Sequence, residues 1–226
     1  MVQSLAPRPL ASSALAHERK REILAAASRV FRRQGLSQTG MRDIAAELSM
    51  TAGNLYYYFT NKQDLVRFCQ ETTLDELLSR GERISSLALQ ADTRLYLLLV
   101  AHVICLNAIY PGSLAHFEIE TLEEPARAPL LEKRRGYERL YSALIEEGAA
   151  AGVFRPVDSR LATLALLGAV NWTVKWFHPE RGRSVREVGE EFAELLVRGL
   201  LAPGRELARP DAEAYRLLEA DAGALA

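Results

Sequence analysis

The sequence is poor in cysteine. Cys69 and Cys105 are its only two, and neither stands near a second cysteine or a histidine at metal-ligand spacing. That excludes a disulfide framework and a cysteine-held zinc, and it points to a reducing compartment, the cytoplasm. Long apolar runs are missing too. The longest, Leu95 to Ile109, is broken by His102 and Asn107 and falls short of the ~18 uninterrupted apolar residues of a membrane span. Residues 1–16 are rich in Pro, Ala and Ser but hold no apolar stretch of signal-peptide length, so a flexible N-terminal arm is expected there. Alternating Val/Ile/Thr runs bounded by turns are absent, which leaves no reading as strand.

The constellations of a helical enzyme are lacking as well. There is no glycine-rich phosphate loop, no serine elbow and no Glu-x-x-His pair, and the four histidines are scattered at 17, 102, 116 and 178. His116, Glu118 and Glu120 alternate and so do not share one helical face. No metal and no cofactor are expected.

Charge is present but unevenly spread. Residues 1–67 carry ten Lys/Arg against five Asp/Glu, a surplus of five positive charges, while the remainder has 18 against 24 and the whole chain sums to −1. A basic N-terminal portion joined to an acidic remainder suggests a nucleic-acid-binding module attached to something else.

Apolar residues recur at spacings of three and four almost throughout, which predicts an all-α fold. Helices are expected at 17–34, 41–48, 52–59, from Lys62 to about Gly81, and at 91–110, 113–122, 125–150, 158–177 and 185–201. Thr39, Thr51 and either Thr60 or Asn61 are the expected N-caps, and Gly35 closes the first helix. This divides the chain into the arm, a three-helix unit at 17–65, a larger helical domain at 66–203, and a tail at 204–226.

The second and third helices are separated by Ser49-Met50-Thr51, a turn length that suits a helix-turn-helix. With Leu55 and Phe59 turned inward, Gly53 and Tyr57 point outward, and Asn54, Tyr56 and Tyr58 lie on the flanks. Lys, Glu and Gln are the usual residues on such a face. A major groove explains the substitution: glycine permits close approach, asparagine pairs with an adenine edge, and tyrosines reach phosphates and thymine methyls. Thr51 and Ala52 open the helix where phosphate is attracted. Arg42 and Lys62 flank it, and Arg19, Lys20 and Arg21 add salt-dependent attraction.

The run Arg21-Glu22-Ile23-Leu24, then Phe31, Gly35, Met41-Arg42-Asp43-Ile44-Ala45 and Ala52-Gly53-Asn54-Leu55-Tyr56-Tyr57-Tyr58-Phe59-Thr60-Asn61-Lys62, resembles the DNA-binding domain of the tetracycline-repressor (TetR/AcrR) family. The resemblance covers about 17–65. It implies an all-α homodimer that binds a double-stranded operator, usually as a repressor released by a small molecule. Farther on, Ala169-Val170-Asn171-Trp172-Thr173-Val174-Lys175-Trp176-Phe177-His178-Pro179 and Ser184-Val185-Arg186 are similar to a subgroup governing fatty-acid and steroid-ring degradation, in which several members respond to acyl-CoA. His178 departs from that pattern, where arginine is often seen. An activator on the same fold, or a helical enzyme or adaptor, is the alternative.

Polar groups inside apolar helices suggest where an effector, an acyl-CoA or fatty acid, would sit: His102, Asn171 and Lys175, with Leu106, Phe117, Tyr137, Trp172 and Trp176 completing the candidate lining. Lys133, Arg134, Arg135 and Arg139 read as a solvated face or as contacts for a CoA phosphate. Two stripes, Leu161, Leu164, Gly168 and Val188, Phe192, Leu195, Gly199, are the candidate dimer surface as a four-helix interface.

Overall fold

Spacings of three and four give helix wherever the chain is described. The computed structural model describes residues 13–110, 119 and 122–219, with ten α-helices among them. They are α1 (Ser13–Gln34), α2 (Met41–Glu47), α3 (Ala52–Tyr58), α4 (Lys62–Ser85), α5 (Ala91–Ile104), α6 (Arg127–Ala150), α7 (Ser159–Asn171), α8 (Thr173–Trp176), α9 (Val185–Arg198) and α10 (Ala212–Glu219). The β-pairing among these residues is one isolated bridge between Phe154 and Leu201. Of the expected arm at 1–16, residues 13–16 already belong to α1 and 1–12 lie outside the described residues, as do the expected helix at 113–122, Phe117 and the tract His116, Glu118, Glu120, apart from Ile119 and Leu122, which are buried.

α1 to α3 fold around Ile23, Leu24, Val30, Ile44, Leu55 and Phe59, all buried, with Leu65 of α4 closing the cluster. Thr39 does not cap α2. Its hydroxyl donates to the Gly35 carbonyl at 2.8 Å, and the cap position falls to Gly40, whose N–H is received by Asp43 at 2.7 Å. Asn61 caps α4 by accepting from the Asp64 N–H at 2.8 Å. Between α2 and α3, Ser49 sits at φ 53, in the left-handed region that folds the chain back sharply enough to pack α3 across α2.

α4 runs through Gly81 without stopping. A Cβ there would lie 2.6 Å from Leu140 Cδ1 of α6, so this glycine serves close packing of two long helices rather than a helix end. α5 is buried on nearly every side by α4, α6 and α9, as a helix apolar all round must be. Ala91–Ile109 is long and apolar enough to cross a membrane, yet 83% of it lies inside the fold as the core helix. Its last turn widens into a π-helix, Cys105–Ile109, which the sequence pattern does not announce. The expected helix 158–177 divides in two at Trp172. In the tail, Leu207 is buried and α10 packs on α5.

Candidate DNA-binding surface and effector site

α3 is the exposed helix of the N-terminal unit. Thr51 caps it, its Oγ1 accepting from the Asn54 N–H at 3.2 Å, and the buried pair Leu55 and Phe59 fixes its rotation. That rotation leaves Gly53 and Asn54 exposed, Tyr56 half exposed at 51% and Tyr57 at 76%. Rings this open gain little from burial and have no reason in the fold itself. Gly53 is equally unforced: an added Cβ would meet nothing nearer than Thr51 Oγ1 at 3.8 Å. Arg42 is exposed one helix earlier, and Ala52 is half-buried at the helix start.

Two residues expected on this surface are engaged inward. Tyr58 is half-buried against the core, edge-on to Tyr57 at 5.2 Å. Lys62 donates from Nζ to the Leu36 carbonyl at 2.5 Å, which ties the start of α4 to the α1–α2 connection. Arg19 pairs with Glu22, Lys20 lies over the Phe59 and Phe68 rings at 5.3 and 5.7 Å, and Arg21 reaches the Tyr110 hydroxyl at 3.4 Å.

In the C-terminal domain three of the expected effector residues meet. His102 on α5 is fully buried between Tyr137 of α6 and Asn171 of α7, with Nδ1 3.1 Å from the Tyr137 hydroxyl and Nε2 2.8 Å from Asn171 Oδ1. The amide oxygen only accepts, so Nε2 carries the proton and Nδ1 accepts from the phenol. With the Tyr137 proton directed at His102, the Tyr141 hydroxyl is the donor to Tyr137 at 3.2 Å, and the Leu98 carbonyl lies 3.4 Å from the same hydroxyl. Burial, partly opposed by the Asn171 hydrogen bond, holds the His102 pKa down at about 4, so the ring is neutral. Leu106 is buried one turn farther on. Burial likewise raises the Cys69 thiol to about 12 and raises Cys105, leaving both as unreactive thiols.

Trp172, Lys175 and Trp176 do not join this cluster. The turn at Trp172 swings them outward, Trp172 to 58% exposure, and Trp176 stacks on Phe192 of α9 at 5.8 Å. The basic residues of α6 are all paired: Lys133 bridges to Glu71 and Asp75 of α4, while on the outer side Arg134 pairs with Glu138, and both Arg135 and Arg139 with Glu132.

The expected dimer stripes are exposed and apolar. Leu161 and Leu195 are open at 65% and 72%, Leu164, Gly168 and Gly199 are exposed, and Phe192 is half-buried. Val188 is the exception. It faces the protomer's own core, because α9 turns that side onto α5.

Sequence reasoning missed a group at the junction of the two domains. Arg29, Arg32 and Arg33 face a groove of about 760 Å³ bounded by Asn107, Phe177 and His178. Arg29 and Arg33 share Glu47 at 3.0 and 3.2 Å, their guanidiniums holding its carboxyl below the usual range, while Arg32 donates to the Phe177 carbonyl and lies 3.3 Å from His178 Nδ1. The signal was legible: residues 29, 32 and 33 have the i, i+3, i+4 spacing of one helix face.

A helix-turn-helix unit with an unsupported aromatic and glycine face, joined to a helical domain with a buried polar chain, defines the class: an effector-linked DNA-binding regulator. Residues 23–68 match the family described as bacterial regulatory proteins, tetR family, and residues 88–200 match the tetracyclin repressor-like C-terminal domain. The chain belongs to the TetR family of transcription regulators. It is 25% identical over 202 residues to the HTH-type transcriptional repressor KstR2 of Rhodococcus jostii, covering 88% of this chain and 99% of that protein. It is 24% identical over 182 residues to the fatty acid metabolism regulator protein of Bacillus subtilis, covering 79% and 94%. Among solved structures, AibR in complex with isovaleryl coenzyme A and operator DNA superposes at a TM-score of 0.69 with 26% identity, covering 82% of this chain and 99% of that one.

Proposed function

We propose that the protein is a cytoplasmic homodimeric repressor that holds a palindromic operator through α3 and releases it when a CoA thioester binds the C-terminal domain. The exposed Gly53, Asn54, Tyr56 and Tyr57 carry this reading, because nothing among the described residues accounts for them. Asn54 reads a base edge, Tyr56 and Tyr57 meet methyls and phosphates, and Thr51, Ala52, Arg42, Tyr58 and Lys62 line the backbone. Lys62 can do so only by sharing its ammonium with Leu36.

The open faces of α7 and α9 pair with those of a second copy in an isologous four-helix seam. Leu161, Leu164, Gly168, Trp172, Phe192, Leu195 and Gly199 are its contacts, and the exposed leucines and Trp172 are the observation behind it. The dimer sets two α3 helices about 34 Å apart, one turn of DNA. An acyl chain packs against Leu106 and the His102–Tyr137–Asn171 cluster. The similarity to a repressor and to a structure bound to isovaleryl coenzyme A supports this class of effector. The test is a gel shift on the chain's own upstream DNA with saturated acyl-CoAs of increasing length: one thioester should abolish the shifted band, and release by none rules out the effector.

A further inference from the structure

We propose that the groove between the DNA-binding unit and the effector domain seats the phosphate-bearing nucleotide end of the CoA thioester. This rests on the effector reading above and adds where the anionic half of the ligand is held. The groove's volume of about 760 Å³ is in the range of small-molecule sites. Three guanidiniums of one helix face, Arg29, Arg32 and Arg33, form one wall; among the described residues Glu47 is the only carboxylate paired with any of them, and Glu180 elsewhere in the lining still leaves it with a surplus of positive charge. Arg32 pairs with none; its partners are the Phe177 carbonyl and His178 Nδ1. Guanidinium forks match phosphate oxygens in charge and geometry.

The inner wall supplies an independent sign of a missing donor. Asn107 is 3% exposed and sits in the π-helix, a distortion frequent at functional sites. Its Nδ2 donates to the Val103 carbonyl at 3.0 Å and to Thr173 Oγ1 at 2.8 Å, while its buried Oδ1 accepts from none of the described residues. A buried acceptor without a partner is rare. The arm of a CoA thioester carries two amide N–H groups, so a ligand lying through the groove can satisfy Oδ1 as it passes inward along the π-helix toward buried Leu106.

Such a ligand would act on the DNA-binding unit directly. Glu47 is the last residue of α2, four before the cap of α3, and Arg29 and Arg33 pin it. Phosphates that draw these arginines away loosen α2 from α1, and those that draw Arg32 away undock α1 from Phe177. The ligand shifts the population toward release by competing with the contacts that hold α1 to α2 and to Phe177.

The experiment is titration calorimetry on the full-length protein. Probes are the tightest of the saturated acyl-CoAs from acetyl to palmitoyl, and the same acyl group on pantetheine, which lacks the nucleotide and its phosphates. Arg29→Gln and Arg33→Gln should each weaken the acyl-CoA about tenfold and leave the pantetheine thioester unchanged. Asn107→Leu should weaken both probes. Arg134→Ala on the outer face of α6 should change neither, and matching thermal melts verify folding. An acyl-CoA that binds equally to wild type and to both arginine variants overturns the groove assignment and leaves the effector reading standing. Arginine variants that weaken only operator DNA assign the wall to DNA phosphates and overturn it too. Binding of no thioester at all overturns both.

Discussion

Glycine at 53 works against the protein that carries it. In an exposed helical position it costs about 0.5–1 kcal/mol relative to alanine, and no neighbour would obstruct a methyl there. Gly53→Ala should therefore raise stability to denaturant by about that amount while weakening operator binding about tenfold or more, because the methyl enters the space the DNA occupies. Gain of stability with unchanged DNA affinity would show that the site is not approached closely. His102 gives a second residue-scale prediction. Its folded pKa of about 4 lies below the ordinary 6.5, so between those values the unfolded chain binds the extra proton. Stability is complete above pH 6.5 and declines as pH falls toward 4, by about 3 kcal/mol in total. Urea denaturation across that window should show the slope, and His102→Leu should flatten it.

At the scale of elements, the sequence pattern announced most helices because their apolar spacing is strong, and it identified α3 as the exposed one because Leu55 and Phe59 leave only one rotation open. It misjudged places where neighbours decide. Gly81 reads as a stop, but the crowding of Leu140 turns it into a packing site inside α4. Trp172, Lys175 and Trp176 read as pocket lining on one long helix, and the break at Trp172 turns them outward. The π-helix has no sequence signature here, since one widened turn leaves the apolar spacing nearly intact. Val188 could not be told from Leu195 by periodicity alone; only the docking of α9 on α5 separates the inward side from the outward one. The turn into α3 yields its own prediction. Ser49 is a non-glycine residue in the left-handed region, at a cost of about 1 kcal/mol. Ser49→Gly should raise the denaturation midpoint accordingly and leave operator affinity within twofold.

At the scale of the whole molecule, the proposed mechanism needs two copies and a path between domains. The open apolar faces of α7 and α9 are what a second copy would cover, and Leu195 is the most exposed of their leucines. Leu195→Glu should give a monomer by sedimentation at micromolar concentration and lower operator affinity about 100-fold, since one helix per half-site loses the benefit of the second. A monomeric variant with full operator affinity would remove dimerisation from the mechanism. The path between domains runs through α1, which touches α2 by Arg29 and Arg33 and the effector domain by Arg32.

In the proposed complex the outward side of α3 lies in a major groove. Fluorescence anisotropy with a labelled duplex from the chain's upstream region, in the presence of excess unrelated DNA, tests it through Asn54→Ala and Tyr57→Ala. Both residues are exposed, and Tyr57 touches only the Tyr58 ring edge-on among the aromatic contacts, so Asn54→Ala should melt as the wild type does and Tyr57→Ala within about 1 kcal/mol of it. Each should bind the duplex about 10–100-fold more weakly, at 1–3 kcal/mol per lost base contact. Unaltered affinity in both would contradict the assignment.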